Sequence, residues 1–204
     1  MPTDVPSPIN LRSMDDALAW EASAAVKRPW RAEFFAAFVS AIASAPPRIN
    51  RVLELGSGPG FLAHELLLAL PLSEYVALDF SAAMHQLALA RLGPLSSAVR
   101  FAERSFREPA WMAGLGVFDC VVTNQAVHEL RHKRHATTLH RQVRGVLAPK
   151  GSYLVCDHVA GPDGMKDDQL YMSGSEQREA LLAAGFITVE LLLQKGGLVL
   201  HKAT

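Results

Sequence analysis

Cysteine is scarce: Cys120 and Cys156 are the only two in 204 residues, and each sits in an apolar run. A disulfide framework and a zinc ribbon are therefore excluded, and the pair reads as small core hydrophobes of a reducing compartment. An excess of one charge is missing too. Twenty Lys+Arg against twenty Asp+Glu leave no net charge, which argues against gripping nucleic acid or an anionic membrane through the overall field. No stretch approaches the roughly 18 uninterrupted apolar residues of a membrane span. The nearest, Phe34 to Ala45, is broken by Ser40 and Ser44 and stopped by Pro46-Pro47. Met1 to Pro6 lacks the basic and apolar regions of a signal peptide, so a cytoplasmic location is expected. Internal repeats and low-complexity tracts are absent as well, which leaves an ordinary globular fold.

Half of the residues are apolar and 20% are charged, enough to bury a core as one compact domain. Residues 1–47 read as a helical cap and residues 48–204 as the main domain. Within the cap, Ser13 to Ala45 reads as two helices, Ser13 capping the first and Pro29 suiting the first turn of the second. From Arg51 the pattern changes to short apolar strands alternating with amphipathic helices, the mark of a doubly wound α/β sheet. Strands are expected near Arg51 to Leu55, Tyr75 to Asp79, Val99 to Ala102, Phe118 to Thr123 and Ser152 to Asp157. The clearest helix is His132 to Leu147, with Ala136, Leu139, Val143 and Val146 on one stripe, followed by a helix stop and turn over Leu147 to Gly151. His158 to Gly174 has linker character. Beyond it a helix near Ser175 to Ala184 ends at Gly185, and Phe186 to Leu193 with Leu198 to Lys202 form an antiparallel pair across Lys195-Gly196-Gly197.

The strongest constellation is Glu54-Leu55-Gly56-Ser57-Gly58-Pro59-Gly60, a strand running into a glycine-rich turn that opens a helix. Glycines let the backbone turn sharply and let a ligand approach the helix N-terminus closely. Asp79, nineteen residues after Gly60 at the end of the next strand, is placed to accept hydrogen bonds from two vicinal ribose hydroxyls. Together these mark an adenosine-type cofactor. The dinucleotide fingerprint would put its third glycine where Phe61 stands, so the NAD(P)-linked oxidoreductase reading loses support.

With that turn and Asp79, the chain resembles the class I S-adenosylmethionine-dependent methyltransferases from about Arg51 onward. Ala77-Leu78-Asp79-Phe80-Ser81 resembles their second-strand motif, Phe118 to Val122 their fourth strand, Leu147 to Ser152 the turn into the fifth, and Leu181 to Phe186 the approach to the final hairpin. The resemblance implies a Rossmann-like seven-stranded sheet in the order 3-2-1-4-5-7-6 with strand 7 antiparallel. It also implies S-adenosyl-L-methionine as cofactor, S-adenosyl-L-homocysteine as product, and methyl transfer to a small organic acceptor. By the same resemblance Gly56, Ser57, Gly58 and Gly60 pass under the methionine part, Glu54 holds its amino group, Asp79 takes the ribose and Phe80 stacks near adenine. Ser105, Phe106 and Asn124 complete the cofactor set. Many members carry Gly-Asp where this chain has Arg104-Ser105, which removes a charge-assisted contact to adenine.

Methyl transfer from a sulfonium is an in-line displacement, so the protein chiefly aligns donor and acceptor, and no metal is required. A base helps where the acceptor must lose a proton. His128, just past the fourth strand, is the candidate, its ordinary pKa of about 6.5 suiting proton removal at neutral pH. Trp20, Trp30, Arg31 and Gln125 are expected to line the acceptor site. His128-Glu129-Leu130-Arg131-His132 also satisfies H-E-x-x-H, the helix-borne zinc site of hydrolases. The extension that would supply a third ligand is missing, and no carboxylate follows Glu129 until Asp157. Arg131 to Lys150 is basic without an acid, which reads as a solvated face or as recognition of an anion. The aromatic-proline run of base-modifying enzymes is absent after Asn124, so no nucleic-acid partner is expected. A cofactor-binding partner protein without turnover is the alternative of a different class.

Overall fold

The computed structural model describes residues 3–27, 29–46, 48–162 and 164–204. Pro47, expected to stop the helical region, and Asp163 of the polar run lie outside the described residues. In chain order the helices are α1 (Met14–Lys27), α2 (Arg31–Ala43), α3 (Phe61–Ala69), α4 (Ala82–Leu92), α5 (Ala136–Gly145) and α6 (Gly174–Ala183). The strands are β1 (Arg51–Leu55), β2 (Glu74–Asp79), β3 (Val99–Glu103), β4 (Phe118–Asn124), β5 (Leu147–His158), β6 (Val189–Lys195) and β7 (Leu198–Ala203). They form one sheet in the order β3-β2-β1-β4-β5-β7-β6, as the resemblance implies. Among the described residues no helix is long and apolar enough to cross a membrane.

The chain divides into two compact units, residues 9–111 and residues 1–8 with 112–204. In the first, β1 pairs in parallel with β2, Glu54 opposite Ala77 and Leu55 opposite Leu78, and β2 pairs in parallel with β3. Val52, Leu53, Leu55, Val76 and Leu78 are fully buried; near-continuous apolar runs are what a parallel strand covered on both faces requires. Ser81 caps α4 by accepting from Met84 N at 3.1 Å and donates to Leu11 O. Helix α2 starts two residues after Pro29, so that proline precedes the N-cap Trp30 instead of standing in the first turn.

In the second unit β4 and β5 run parallel, while β7 is antiparallel to both β5 and β6. Here the expected boundaries shift. Helix α5 ends at Gly145 and β5 already starts at Leu147, so Leu147 to Gly151 is a corner inside a strand. Leu147 pairs with Phe118 and Ser152 with Cys120, which sets residues 148–151 against Asp119 alone. Lys150 takes a φ of 67°, and a Cβ on Gly151 would lie 2.9 Å from Ala148 O and 3.1 Å from Asp119 O; only glycine closes this corner without displacing backbone. Residues 159–173, expected as a linker, fold back on the unit. Val159 bridges Met172 and Ala160 bridges Met165, while Leu170 and Met172 are buried. A capping box starts α6, Glu176 N donating to Ser173 Oγ at 3.2 Å and Ser173 N to Glu176 Oε2 at 2.7 Å, worth about 1 kcal/mol.

Candidate functional site

In residues 9–111 the glycine turn is tied to the end of β2 from both sides. Gly56 N and Ser57 N donate to Leu78 O at 2.8 and 3.1 Å. Gly58 N donates to Asp79 Oδ2 at 2.8 Å and Ser81 N to Asp79 Oδ1 at 2.9 Å. Gly56, Gly58 and Gly60 have φ of 67°, 53° and 78°, the left-handed region where a side chain costs roughly 1–2 kcal/mol. A Cβ on Gly58 would meet nothing within 4 Å, whereas one on Gly60 would press on Ala88 Cβ at 3.1 Å. Gly60 is thus glycine for packing on α4, and Gly58 for the space in front of it. Glu54 is buried and its Oε2 accepts from Tyr75 Oη at 2.7 Å. Burial raises its carboxyl pKa to about 8 against the lowering effect of that bond, with Asp79 raising it further.

Around this turn the other expected residues are distributed unevenly. The Arg12 guanidinium lies 5.1 Å from the centre of the Phe80 ring, Phe106 is buried, and Ser105 Oγ accepts from Arg107 N at 3.2 Å, closing the turn after β3. Trp20 packs with Leu11, Met14 and Leu87 on the cluster of Ala17, Ala83 and Met84. Trp30 Nε1 is buried without a protein acceptor. Arg31 and Arg91 stack on the ring of Phe61, guanidinium carbons 4.6 and 3.9 Å from its centre.

In residues 112–204 a second constellation gathers at the ends of β4 and β5. His128 Nδ1 lies 2.7 Å from Asp157 Oδ1, and Asp157 Oδ2 accepts from His128 N at 2.8 Å. His158 N also donates to Asp157 Oδ1, at 2.7 Å. The other imidazole nitrogen, His128 Nε2, faces Glu129 Oε1 at 3.4 Å. His158 and Tyr171 pack on the His128 ring with centroids at 5.1 and 5.4 Å. These groups line a small pocket with Lys133, Leu170 and Gln177. Burial lowers the proton affinity of His128, but Asp157 and then Glu129 outweigh it and carry the pKa up to about 10. The ordinary value near 6.5 expected from sequence does not hold, because the ring stands between two carboxylates. Asn124 ends β4 with its Oδ1 buried and without a protein partner, and Gln125, at φ 57°, donates its N–H to Cys156 O at 2.7 Å.

H-E-x-x-H does not present its histidines from one helix. A short 3-10 turn, Val127–Leu130, ends in left-handed Arg131, and His132 Nδ1 instead accepts from Arg134 N at 3.1 Å. His128, Asp157 and His158 do offer one ligand atom each within 4.8 Å of one another. The Asp157 oxygens already take three donors, so a cation there would have to displace backbone and imidazole hydrogen bonds.

A family profile described as "Methyltransferase domain" matches residues 52–151. A malonyl-[acyl-carrier protein] O-methyltransferase of Legionella pneumophila is 31% identical over 133 residues, 63% of this chain and 42% of that protein. The matched residues hold the glycine turn, Asp79 and β4, in keeping with the resemblance to the class I S-adenosylmethionine-dependent methyltransferases. The chain spans about two fifths of the length of that curated relative. Among solved structures, the DhpI–SAM–HEP complex superposes with a TM-score of 0.73 at 20% identity, covering 95% of this chain and 94% of that one. An O-methyltransferase family protein from Burkholderia thailandensis gives 0.70 at 17% identity, covering 88% and 57%.

In residues 9–111 the glycine turn fits S-adenosylmethionine on two observations. Ser57 Oγ is a buried polar atom without a protein partner, a costly state for a group that no ligand uses. The left-handed Gly58 has open space where a Cβ would stand, so a ligand can approach the backbone there. Sequence reasoning missed Asp157 as the partner of His128. Its one signal is that, like Asp79, it is a carboxylate near the end of a strand that is otherwise apolar; 29 residues separate it from His128, so spacing does not reveal the pair. Tyr171, His158 and the Glu129 contact carried no signal at all.

Proposed function

We propose that this protein methylates a small organic acceptor at a hydroxyl, using S-adenosyl-L-methionine. When bound, the cofactor supplies a methyl group already activated by its sulfonium. The glycine turn and Asp79 hold it, with Ser57 Oγ adding a hydroxyl that no protein group uses. Glu54 takes the amino group, and the neutral carboxyl that burial favours becomes ionised beside that cation. Helices α1 and α2 serve as cover on this side, with Trp30 and Arg31 toward the ligand.

The observation that carries the acceptor reading is the 2.7 Å contact between His128 Nδ1 and Asp157 Oδ1. A carboxylate on Nδ1 orients Nε2, the arrangement of a general base once Nε2 has given up the proton that a pKa of about 10 keeps on the ring of the ligand-free protein. Alignment alone suffices for a neutral amine or a thiolate, so an oriented imidazole favours an acceptor that must lose a proton. The O-methyltransferase named among the relatives is in keeping with oxygen as the acceptor atom. Two buried, unpaired cysteines suit a reducing, cytoplasmic location.

Calorimetry with S-adenosylhomocysteine comes first, followed by transfer from labelled donor to a panel of small hydroxyl compounds. Micromolar binding and turnover of a hydroxyl acceptor, lowered roughly 10²–10⁴-fold in His128→Ala with unchanged cofactor affinity, are expected. No binding of S-adenosylhomocysteine refutes the cofactor assignment; turnover unaffected by His128→Ala refutes the base.

A further inference from the structure

Two carboxylates face the His128 ring, and they are held differently. Asp157 is 4% exposed and its oxygens are fixed by His128 N, His128 Nδ1 and His158 N at 2.7–2.8 Å. Glu129 is held by neither of its partners at an ordinary hydrogen-bond length. Its Oε1 lies 3.4 Å from His128 Nε2 and its Oε2 3.4 Å from Arg131 Nη1, and 28% of its side chain is exposed. Arg131, by contrast, is anchored. It is buried, and it is strapped by the segment Asp4 to Pro6: Val5 N donates to Arg131 O at 2.8 Å, Arg131 Nε to Val5 O at 3.0 Å and Arg131 Nη2 to Pro6 O at 2.8 Å. Arg134 Nη2 and His135 Nε2 hold Asp4 Oδ1 at 2.6 and 2.9 Å at the near end of the strap.

A general base needs Nε2 open to its substrate, yet in the ligand-free protein Nε2 is covered by the movable one of the two carboxylates. We propose that Glu129 is a displaceable placeholder on His128 Nε2, and that Arg131, pinned by the Asp4–Pro6 strap, is the cation that receives Glu129 when an acceptor hydroxyl takes its place. Arg131 is then a positioning residue acting through Glu129. The exchange moves one carboxylate away from the imidazole and leaves Asp157, so the ring keeps its orientation while its hold on a proton weakens. Among the described residues His158, Tyr171, Lys133 and Gln177 also line the pocket at this ring, and Lys133 is paired with Glu176 at 2.6 Å.

The inference rests on the reading of His128 as a base, and its test needs neither cofactor nor acceptor. The His128 ring is titrated by NMR, and its Nε2 reactivity is read at pH 7 from the rate of carbethoxylation by diethyl pyrocarbonate, with peptide mapping. Glu129→Gln should lower the His128 pKa by at least about one unit and speed its carbethoxylation about tenfold, since the reagent attacks the uncharged ring. Arg131→Gln should move both readouts the opposite way, because Glu129 is then left to His128 alone. In the double variant the Arg131 effect should vanish. An unmoved titration and rate in Glu129→Gln overturns the proposal, as does an Arg131→Gln effect that persists without Glu129. Should Arg131→Gln fail to fold, the partly exposed Glu129→Gln decides it alone. Failure of S-adenosylhomocysteine to bind would leave these outcomes untouched, so the two readings fall separately.

Discussion

Asp79 performs two tasks, and removing it separates them. In the ligand-free protein its carboxylate accepts from Gly58 N and Ser81 N, at 2.8 and 2.9 Å, and the side chain is almost fully buried. Asp79→Ala leaves both N–H groups without an acceptor, at about 1–3 kcal/mol each, so the ligand-free protein should lose about 2–6 kcal/mol. For a chain of this size about 2–4 °C accompanies each kcal/mol, which predicts a melting midpoint at least about 4 °C lower with no ligand present. Asp79→Asn should recover only part of this, because its amide can accept from Ser81 N but turns a donor, or a weaker acceptor, toward Gly58 N. Ser57→Ala is the contrast. Its Oγ has no protein partner, so its loss should leave stability within about 0.5 kcal/mol while weakening S-adenosylhomocysteine by about 0.5–1.5 kcal/mol. Differential scanning fluorimetry and calorimetry on the three variants suffice. A melting midpoint for Asp79→Ala within about 1 °C of the parent would refute the claim that this carboxylate pins the glycine turn.

Glu54, raised to about 8 by burial, is protonated at neutral pH in the free protein, so binding a ligand ammonium there should release a proton; calorimetry at pH 7 in buffers of different ionisation enthalpy reads the number released, and zero would contradict the assignment. Gly58→Val should abolish S-adenosylhomocysteine binding at a cost of about 1–2 kcal/mol in the ligand-free fold, whereas Gly60→Val, pressing on Ala88, should cost more stability; equal losses would count against the open space at Gly58. For His128 the folded pKa of about 10 exceeds the ordinary 6.5, so its contribution is complete below pH 6.5 and lost as pH rises to 10. Stability should fall by a few kcal/mol over that window, and a urea series in which Asp157→Asn keeps the same slope would refute the cause.

Legibility followed distance along the chain. The glycine turn and Asp79 are read from sequence because the strand between them is short and its end is fixed by hydrophobic pattern, so the carboxylate has one place to be. The hairpin of β6 and β7 is legible for the same reason, through Gly196-Gly197. His128 was found but its chemistry was misjudged, since an imidazole's proton affinity is set by neighbours, and Asp157 arrives from a strand 29 residues away. The strap is further still from Arg131, 126 residues at Val5, and its bonds run largely through backbone carbonyls, which leave no trace in residue type. The corner at Leu147 to Gly151 reads as a helix stop because proline and glycine signal a break without saying what resumes after it, and here it is a strand.

The position of β7 between β5 and β6 has a consequence for synthesis. Residues 189–195 leave the ribosome before residues 198–203, yet among the described strands β6 pairs only with β7, and β7 must first lie along β5. Until residues 198–203 are free, the edge of β5 from Tyr153 to His158 lacks its neighbour, and an unpaired strand edge invites pairing with another chain. Thr204 O extends the pairing of β6 with β7 by accepting from Ile187 N and Thr188 N.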